Sequence, residues 1–338
     1  MAERRQITSN GTVRAEHTQG KTRSAPLARH HDDRLWAITS YFNPMGYRRR
    51  RENYRRFRDR LCVPLIAVEL AFDKEFELAD GDADILIQVR GGDVMWQKER
   101  LLNIAIASLP SACQNVAWLD CDIVFARHDW AKEAAAILDR RPIVQLFAEV
   151  HYLAADHPMD RLQPDAGYLS RPSIASITGA EIFSGYEGRG PGGLGPAATG
   201  MAWATRRELI EEHGFYDACI IGGGDNAMFA AACRAPEHSI RRQRMSHRHA
   251  EHYLEWSEGF GKCVAGDVAV LKGAVYHFWH GDIAKCGRPA RHETLAALGF
   301  DPTGDISIAN SGVWRWVSNK PEMHTYLRTY FAAREEDG

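Results

Sequence analysis

The sequence predicts an α/β layered fold with a largely parallel central sheet flanked by helices. Three observations carry this. From Leu35 onward, short apolar runs alternate with stretches of helical periodicity. One of those stretches, 98–109, shows a clear apolar face. The chain has 338 residues, 45% of them hydrophobic, which is enough to bury a large core.

Taken in order, residues 1–33 are polar and carry Arg4, Arg5, Arg14, Lys21, Arg23 and Arg29, so a disordered N-terminal tail is expected there. LWAITSYF, PLIAVEL, DILIQV, NVAWLDCDIVF and PIVQLFAEV read as buried strands. Helices are expected at 48–61, 98–109 and 129–140. In the second of these, Leu101, Leu102, Ala105, Ile106 and Leu109 fall on one face, and Pro110 ends it. Residues 152–200 are rich in Gly, Pro and Ser, and GYEGRGPGGLGP (185–196) holds no regular element. This stretch is read as a mobile loop insertion, serving either as a lid over substrate or as a plain surface excursion. Order returns with ATGMAWATRRELIEEHGF, IIGGGDNAMFAAACR, a helical stretch at 249–260 and the strand VAVLKGAVYHFWHG. Residues 34–285 are expected to form the main domain and 286–338 a helical extension.

Composition excludes several classes. With a net charge of −2, nothing global points to nucleic acid or membrane. No apolar run approaches the ~18 residues that span a bilayer, and the N-terminus lacks the apolar core of a secretory signal. Seven scattered cysteines without CxxC spacing argue against a disulfide framework or zinc knuckle, so a reducing, cytoplasmic setting is expected.

The chemistry-bearing feature is the acidic end of NVAWLDCDIVF. Along a strand, Asp120 and Asp122 share a face while Cys121 points away. Paired carboxylates at a buried strand end repel one another unless a divalent cation lies between them. In open α/β sheets ligands bind beyond the carboxyl ends of the strands, which is where this pair falls. A cation there would neutralise the charge that develops on a departing nucleoside diphosphate.

Lys98 with Leu101, Leu102 and Asn103 precedes this strand. Gly200 through Arg206 follows the loop and leads to Gly222, Gly223, Gly224, Asp225 and Asn226, and His277 and His280 come last. In order and spacing these segments resemble the GT-A glycosyltransferase family that includes the β-1,4-galactosyltransferases and the polypeptide GalNAc-transferases, the former more closely. The likeness covers roughly residues 35–282.

The resemblance implies a GT-A fold and transfer of a sugar, with UDP-sugar as the favoured donor, to a glycan or other hydroxyl acceptor with inversion, aided by Mn²⁺ or Mg²⁺. It implies Asp122, His280 and His277 as metal ligands and Asp120 as a contact to the nucleotide's ribose. For His277 and His280 to share a metal, the strand must bend after Tyr276. Asp225 is implied as the base on the acceptor hydroxyl, with Gly223 and Gly224 letting backbone approach the sugar. On its residues alone, Asp225 also reads as a helix N-cap. Gly224 and Ile221 stand where the family carries an acid and an aromatic.

Thr39, Tyr41 and Asn43 share one face of the first strand and are expected to contact the nucleotide. Lys98 is expected either to reach phosphate or to lie on the surface. The run Arg48–Arg60 reads as a solvated helix face, a diphosphate clamp or a peripheral contact to an anionic membrane surface. His247, His249 and His252 read as structural. Two rivals remain. A sugar nucleotidyltransferase would need glycines where SYFNPMGYRRR has almost none, and a non-catalytic nucleotide-sugar-binding module would not need the acid at 225.

Overall fold

The computed structural model describes residues 34–338 apart from 73, 159–161, 164–166, 178–194, 196 and 287–289, together with the backbone of two short N-terminal strands. The chain forms a mixed α/β fold on a nine-stranded, mostly parallel sheet. Its strands are β1 (Glu3–Ile7), β2 (Val13–Glu16), β3 (Leu35–Phe42), β4 (Leu65–Ala71), β5 (Ile85–Arg90), β6 (Asn115–Leu119), β8 (Ile143–Gln145), β11 (Ala202–Arg206) and β12 (Val268–Val270), in the order β12-β8-β11-β6-β3-β4-β5-β1-β2. β6, β3, β4, β5 and β1 run parallel, as do β12 and β8; β11 is antiparallel to both neighbours, and β2 to β1. Two strands thus stand within the segment expected to be a tail. The rest of residues 1–33 lies outside the described residues.

The parallel strands read as continuous apolar runs because helices cover both faces. On one face, Ile38, Phe42, Ile66, Val68 and Trp118 pack with Leu101 and Leu102 of the helix Lys98–Ile106. On the other, Ala37, Tyr41, Ala67, Ala117 and Leu119 pack with Tyr54 and Phe57 of the helix Arg48–Arg60. Alternation along β3 therefore sends odd-numbered residues to the second face and even-numbered ones to the first.

Three runs expected as single strands are split. NVAWLDCDIVF leaves the main sheet after Leu119 and resumes as β7 (Ile123–Phe125) in a second sheet; PIVQLFAEV divides into β8 and β9 (Glu149–Tyr152); VAVLKGAVYHFWHG divides into β12 and β13 (Ala274–His277). With β10 (Leu169–Pro172), the second sheet has the order β10-β9-β13-β7. All three breaks are crossings from one sheet to the other, which apolar periodicity alone does not mark. Most of GYEGRGPGGLGP lies outside the described residues. All seven cysteines are free, and among the described residues no helix is long and apolar enough to cross a membrane.

Candidate active site

A cavity of about 630 Å³ opens beyond the carboxyl ends of β3 and β6. Its floor is the crossing between the sheets. Asp120 continues the even-numbered face of β6, and its N–H donates to the Met201 carbonyl, 2.7 Å. Met201 holds a left-handed backbone, φ 82°, a strain of order 1 kcal/mol in a non-glycine residue. Asp122 belongs to the second sheet. Its carbonyl accepts from Phe278 N–H, 2.8 Å, and β13 pairs with β7 in the register His277↔Ile123. That pairing carries residues 277–280 alongside Asp122. The two acids thus reach one cavity from two sheets, not from one strand as alternation predicted.

His277 Nε2 lies 3.7 Å from Asp122 Oδ1, and His280 Nε2 lies 3.6 Å from Asp122 Oδ2. The bend required to bring both histidines together is present: β13 ends at His277, and Gly281 takes φ 99°. One donor atom from each of the three residues lies within 4.8 Å of the other two. Asp122 Oδ1 and the His280 Nδ1 are buried without hydrogen-bond partners. A buried carboxylate oxygen left without a hydrogen-bond donor is costly to desolvate. Burial pushes the Asp122 carboxyl above its ordinary range while His277 opposes the shift, and burial, then His277, pushes His280 well below its own. One oxygen and two nitrogens at this spacing fit a divalent transition ion, and the imidazoles favour Mn²⁺ over Mg²⁺.

Lys98 sits at the other side of Asp120. Its ammonium is 2.6 Å from Asp120 Oδ1 and 2.7 Å from Asp225 Oδ2, and the residue is only 6% exposed. It is not a surface residue: two carboxylates hold it in the wall of the cavity. Asp225 lies in the first turn of the helix Gly224–Ala232; its N-cap is Gly223, φ 109°, and no side chain caps it. The N-cap alternative for Asp225 is thereby corrected. The left-handed φ explains Gly223. Gly224 is explained by crowding, since a Cβ there would fall 2.1 Å from Glu99 Oε1.

Burial raises the Asp225 carboxyl above its ordinary value and Lys98 opposes that shift, while the helix N-terminus favours its charged form. Glu99, 4% exposed beside this pair, is pushed up to about 8, chiefly by burial. Burial thus favours its protonated form. Sequence reasoning missed Glu99, because an acid in a first helical turn ordinarily faces water.

Thr39, Tyr41 and Asn43, expected to contact the nucleotide, do not line the cavity. Thr39 Oγ1 donates to the Leu119 carbonyl, 2.7 Å; Tyr41 Oη donates to Glu77, 2.5 Å; Asn43 Nδ2 donates to the Tyr47 carbonyl, 2.9 Å. All three are buried toward the helix Arg48–Arg60, whereas Ser40 and Phe42 line the cavity. The even-numbered face is the one that continues into Lys98 and Asp120. Gly223 lines the cavity, and Gly224 lies one residue inside, against Glu99.

Of the basic run 48–60, Arg50 turns inward to an ion pair with Glu336, which also binds Arg334. These two arginines hold the Glu336 carboxyl well below its ordinary value, against the effect of burial. Among the three histidines read as structural, His249 is buried between Tyr216 and Phe300, and His252 Nδ1 lies 3.2 Å from Tyr216 Oη.

No protein-family model and no curated protein matches the chain. Solved structures do. Glucosyl-3-phosphoglycerate synthase from Mycobacterium tuberculosis, in complex with Mn²⁺, UDP and phosphoglyceric acid, is 13% identical over 81% of this chain and 81% of that one, with a TM-score of 0.40. Staphylococcus aureus TarS in complex with UDP-GlcNAc is 14% identical over 72% of this chain and 58% of that one, TM-score 0.34. A Drosophila β-1,4-galactosyltransferase 7 mutant in complex with manganese, UDP-Gal and xylobiose is 11% identical over 85% and 72%, TM-score 0.30. These likenesses assign no activity. The functional reading rests on the residues of the cavity.

Proposed function

We propose that the chain is a GT-A-type glycosyltransferase that moves a sugar from a nucleotide-diphosphate donor, UDP-sugar by preference, to a hydroxyl acceptor with inversion. The observation that carries this reading is the convergence of Asp122, His277 and His280 with the Lys98-bound pair Asp120 and Asp225 in one cavity. Asp122, His277 and His280 would hold Mn²⁺ (or Mg²⁺). The bound ion supplies Lewis-acid stabilisation of the departing diphosphate.

The chain's own residues do the rest. Asp120, fixed by Lys98 and by its backbone bond to Met201, presents its remaining carboxylate oxygen to the nucleotide's ribose. Gly222 and Gly223 let the donor sugar lie against backbone. Asp225 takes the proton of the acceptor hydroxyl as that oxygen attacks the anomeric carbon. Lys98 holds Asp225 in place and keeps its carboxyl from rising further. Burial favours the neutral form of Glu99, which limits the charge beside the base.

The test is nucleoside-diphosphate release from a panel of UDP- and GDP-sugars with Mn²⁺, comparing wild type with Asp225→Asn. Removing a general base costs about 10²–10⁴ in kcat, whereas metal-dependent nucleotide binding should survive. Equal turnover by the variant would remove Asp225 from the reaction. Formation of a nucleotide sugar from a nucleoside triphosphate and a sugar phosphate, with release of pyrophosphate, would assign the chain to the nucleotidyltransferases instead.

A further inference from the structure

A second group of metal-ligating side chains lies outside the cavity, where the last turn of the helix Arg207–His213 meets the far end of the helix His247–Val264. His213 Nε2 stands 3.2 Å from Cys263 Sγ and 3.7 Å from Glu212 Oε1. One donor atom from each of the three residues lies within 4.8 Å of the other two. Cys263 is 50 positions from His213, so no spacing motif marks the pair in the sequence.

The imidazole is held for this contact. Trp256 Nε1 donates to the His213 carbonyl, 2.9 Å, and the Phe260 ring meets the imidazole edge-on. A glycine inside a helix is ordinarily destabilising. Gly259 is explained by the same ring, since a Cβ there would fall 3.2 Å from His213 Cε1 and 3.3 Å from its Nδ1. The His213 side chain is 13% exposed, whereas that of Glu212 is 68% exposed and Cys263 is open to solvent. The group therefore has a fixed nitrogen at its base and two ligands that water and ions can reach. Among the described residues, no lysine or arginine forms an ion pair with Glu212.

The spacings suit tetrahedral coordination. Zinc lies about 2.3 Å from a thiolate sulfur and about 2.0–2.1 Å from nitrogen or oxygen, which puts tetrahedral S–N and N–O pairs about 3.5 and 3.4 Å apart. The distances here differ from these by about 0.3 Å each. A thiolate with an imidazole selects zinc over Mg²⁺ or Mn²⁺. Sulfur also separates this group from Asp122, His277 and His280, which offer only oxygen and nitrogen.

We propose that Cys263, His213 and Glu212 bind a thiol-seeking divalent cation, Zn²⁺ by preference, with water in the fourth position. As the sulfur–metal bond forms, the thiol proton passes to solvent, so affinity falls as pH drops. The ion joins the ends of two helices. It thereby braces the segment 215–217, which Asn103 and Arg100 of the helix Lys98–Ile106 bind.

The test titrates Co²⁺, a spectroscopic substitute for Zn²⁺, into the reduced full chain without oxygen and follows the sulfur-to-cobalt charge-transfer band. Wild type and Asp122→Ala should both develop the band, and Zn²⁺ should abolish it by displacement. Cys263→Ser should lose it, with circular dichroism unchanged because the side chain is exposed. His213→Gln should need at least about tenfold more Co²⁺ to reach half the signal, a loss no smaller than that for removing a supporting partner of a metal ligand.

No band in wild type, or a band that persists in Cys263→Ser, overturns the proposal. If the persisting band disappears in Asp122→Ala, the sulfur is that of Cys121, which lines the cavity. Equal Co²⁺ affinity in wild type and His213→Gln overturns the proposal as well, by reducing the group to one exposed thiol.

Discussion

Replacing Lys98 with Met removes the one ammonium that holds Asp120 and Asp225 at 2.6 and 2.7 Å. Leaving a buried charge without its partner costs about 3–5 kcal/mol. Here the acid side chains keep 28% and 18% of their exposure, so water recovers part of that, and about 2–4 kcal/mol is expected. An unfolding entropy of roughly 2.1 cal/mol/K per residue over 338 residues gives about 0.7 kcal/mol/K. The melting temperature should then fall by about 3–6 °C.

The same change acts on the proposed base. Burial raises Asp225 and Lys98 opposes it, so without Lys98 the carboxyl rises further. At 1.36 kcal/mol per pH unit, losing about 2 kcal/mol of this interaction moves the acid limb of kcat/KM upward by roughly 1–2 units. Calorimetry at pH 7 and a pH–rate profile for nucleotide-sugar turnover read the two effects separately. An unchanged melting temperature together with an unmoved or lowered acid limb would refute the claim that Lys98 joins the two acids.

Three further outcomes follow from the same contacts. In wild type, the acid limb of kcat/KM should lie above the ordinary carboxylate range, because burial raises Asp225; activity is lost as pH falls through that value, and a limb near 4 would contradict it. Glu99 ionises near 8 in the fold against an ordinary 4.5, so stability declines as pH rises through that window. Glu99→Gln should melt higher than wild type at pH 8, by on the order of 2–4 kcal/mol, and match it below pH 4.5. Burial, with His252 second, pushes His249 down to about 3, so the unfolded chain takes up a proton below 6.5 that the fold refuses, and stability is lost as pH falls from 6.5 toward 3. His249→Phe, which keeps an aromatic ring beside Tyr216 and Phe300, should flatten that loss by about 3 kcal/mol between pH 6.5 and 4, measured by calorimetry across the range.

The layered α/β fold was legible because fully buried parallel strands and the amphipathic helix Lys98–Ile106 leave strong apolar periodicities. Sheet crossings were not. Nothing in NVAWLDCDIVF shows that Asp120 ends one sheet and Asp122 begins another, since that break is made by pairing with Met201 and with β13, far along the chain. The gathering of Asp122, His277 and His280 followed from the order of the motifs, yet the face of β3 did not. Both faces of that strand are buried, so alternation offered two equal sets, and Thr39, Tyr41 and Asn43 were the polar one. Those polar groups are satisfied by Leu119, Glu77 and Tyr47. Lys98 and Glu99 looked like ordinary first-turn charges. Their burial depends on the helix Gly224–Ala232, more than a hundred residues away. The Arg50–Glu336 pair is equally distant in sequence and gives no local signal.

The central claim is a metal-dependent nucleotide-diphosphate site at Asp122. Thermal unfolding of wild type and Asp122→Ala with UDP or GDP, each with Mn²⁺ or with EDTA, tests it most directly. A ligand at about 100 times its Kd adds about 2.7 kcal/mol, which is roughly 4 °C at the entropy used above. Wild type should show that shift with one nucleotide and Mn²⁺, and should lose it both in EDTA and in Asp122→Ala. A wild type that neither nucleotide stabilises, or a shift that survives EDTA and Asp122→Ala, would contradict it.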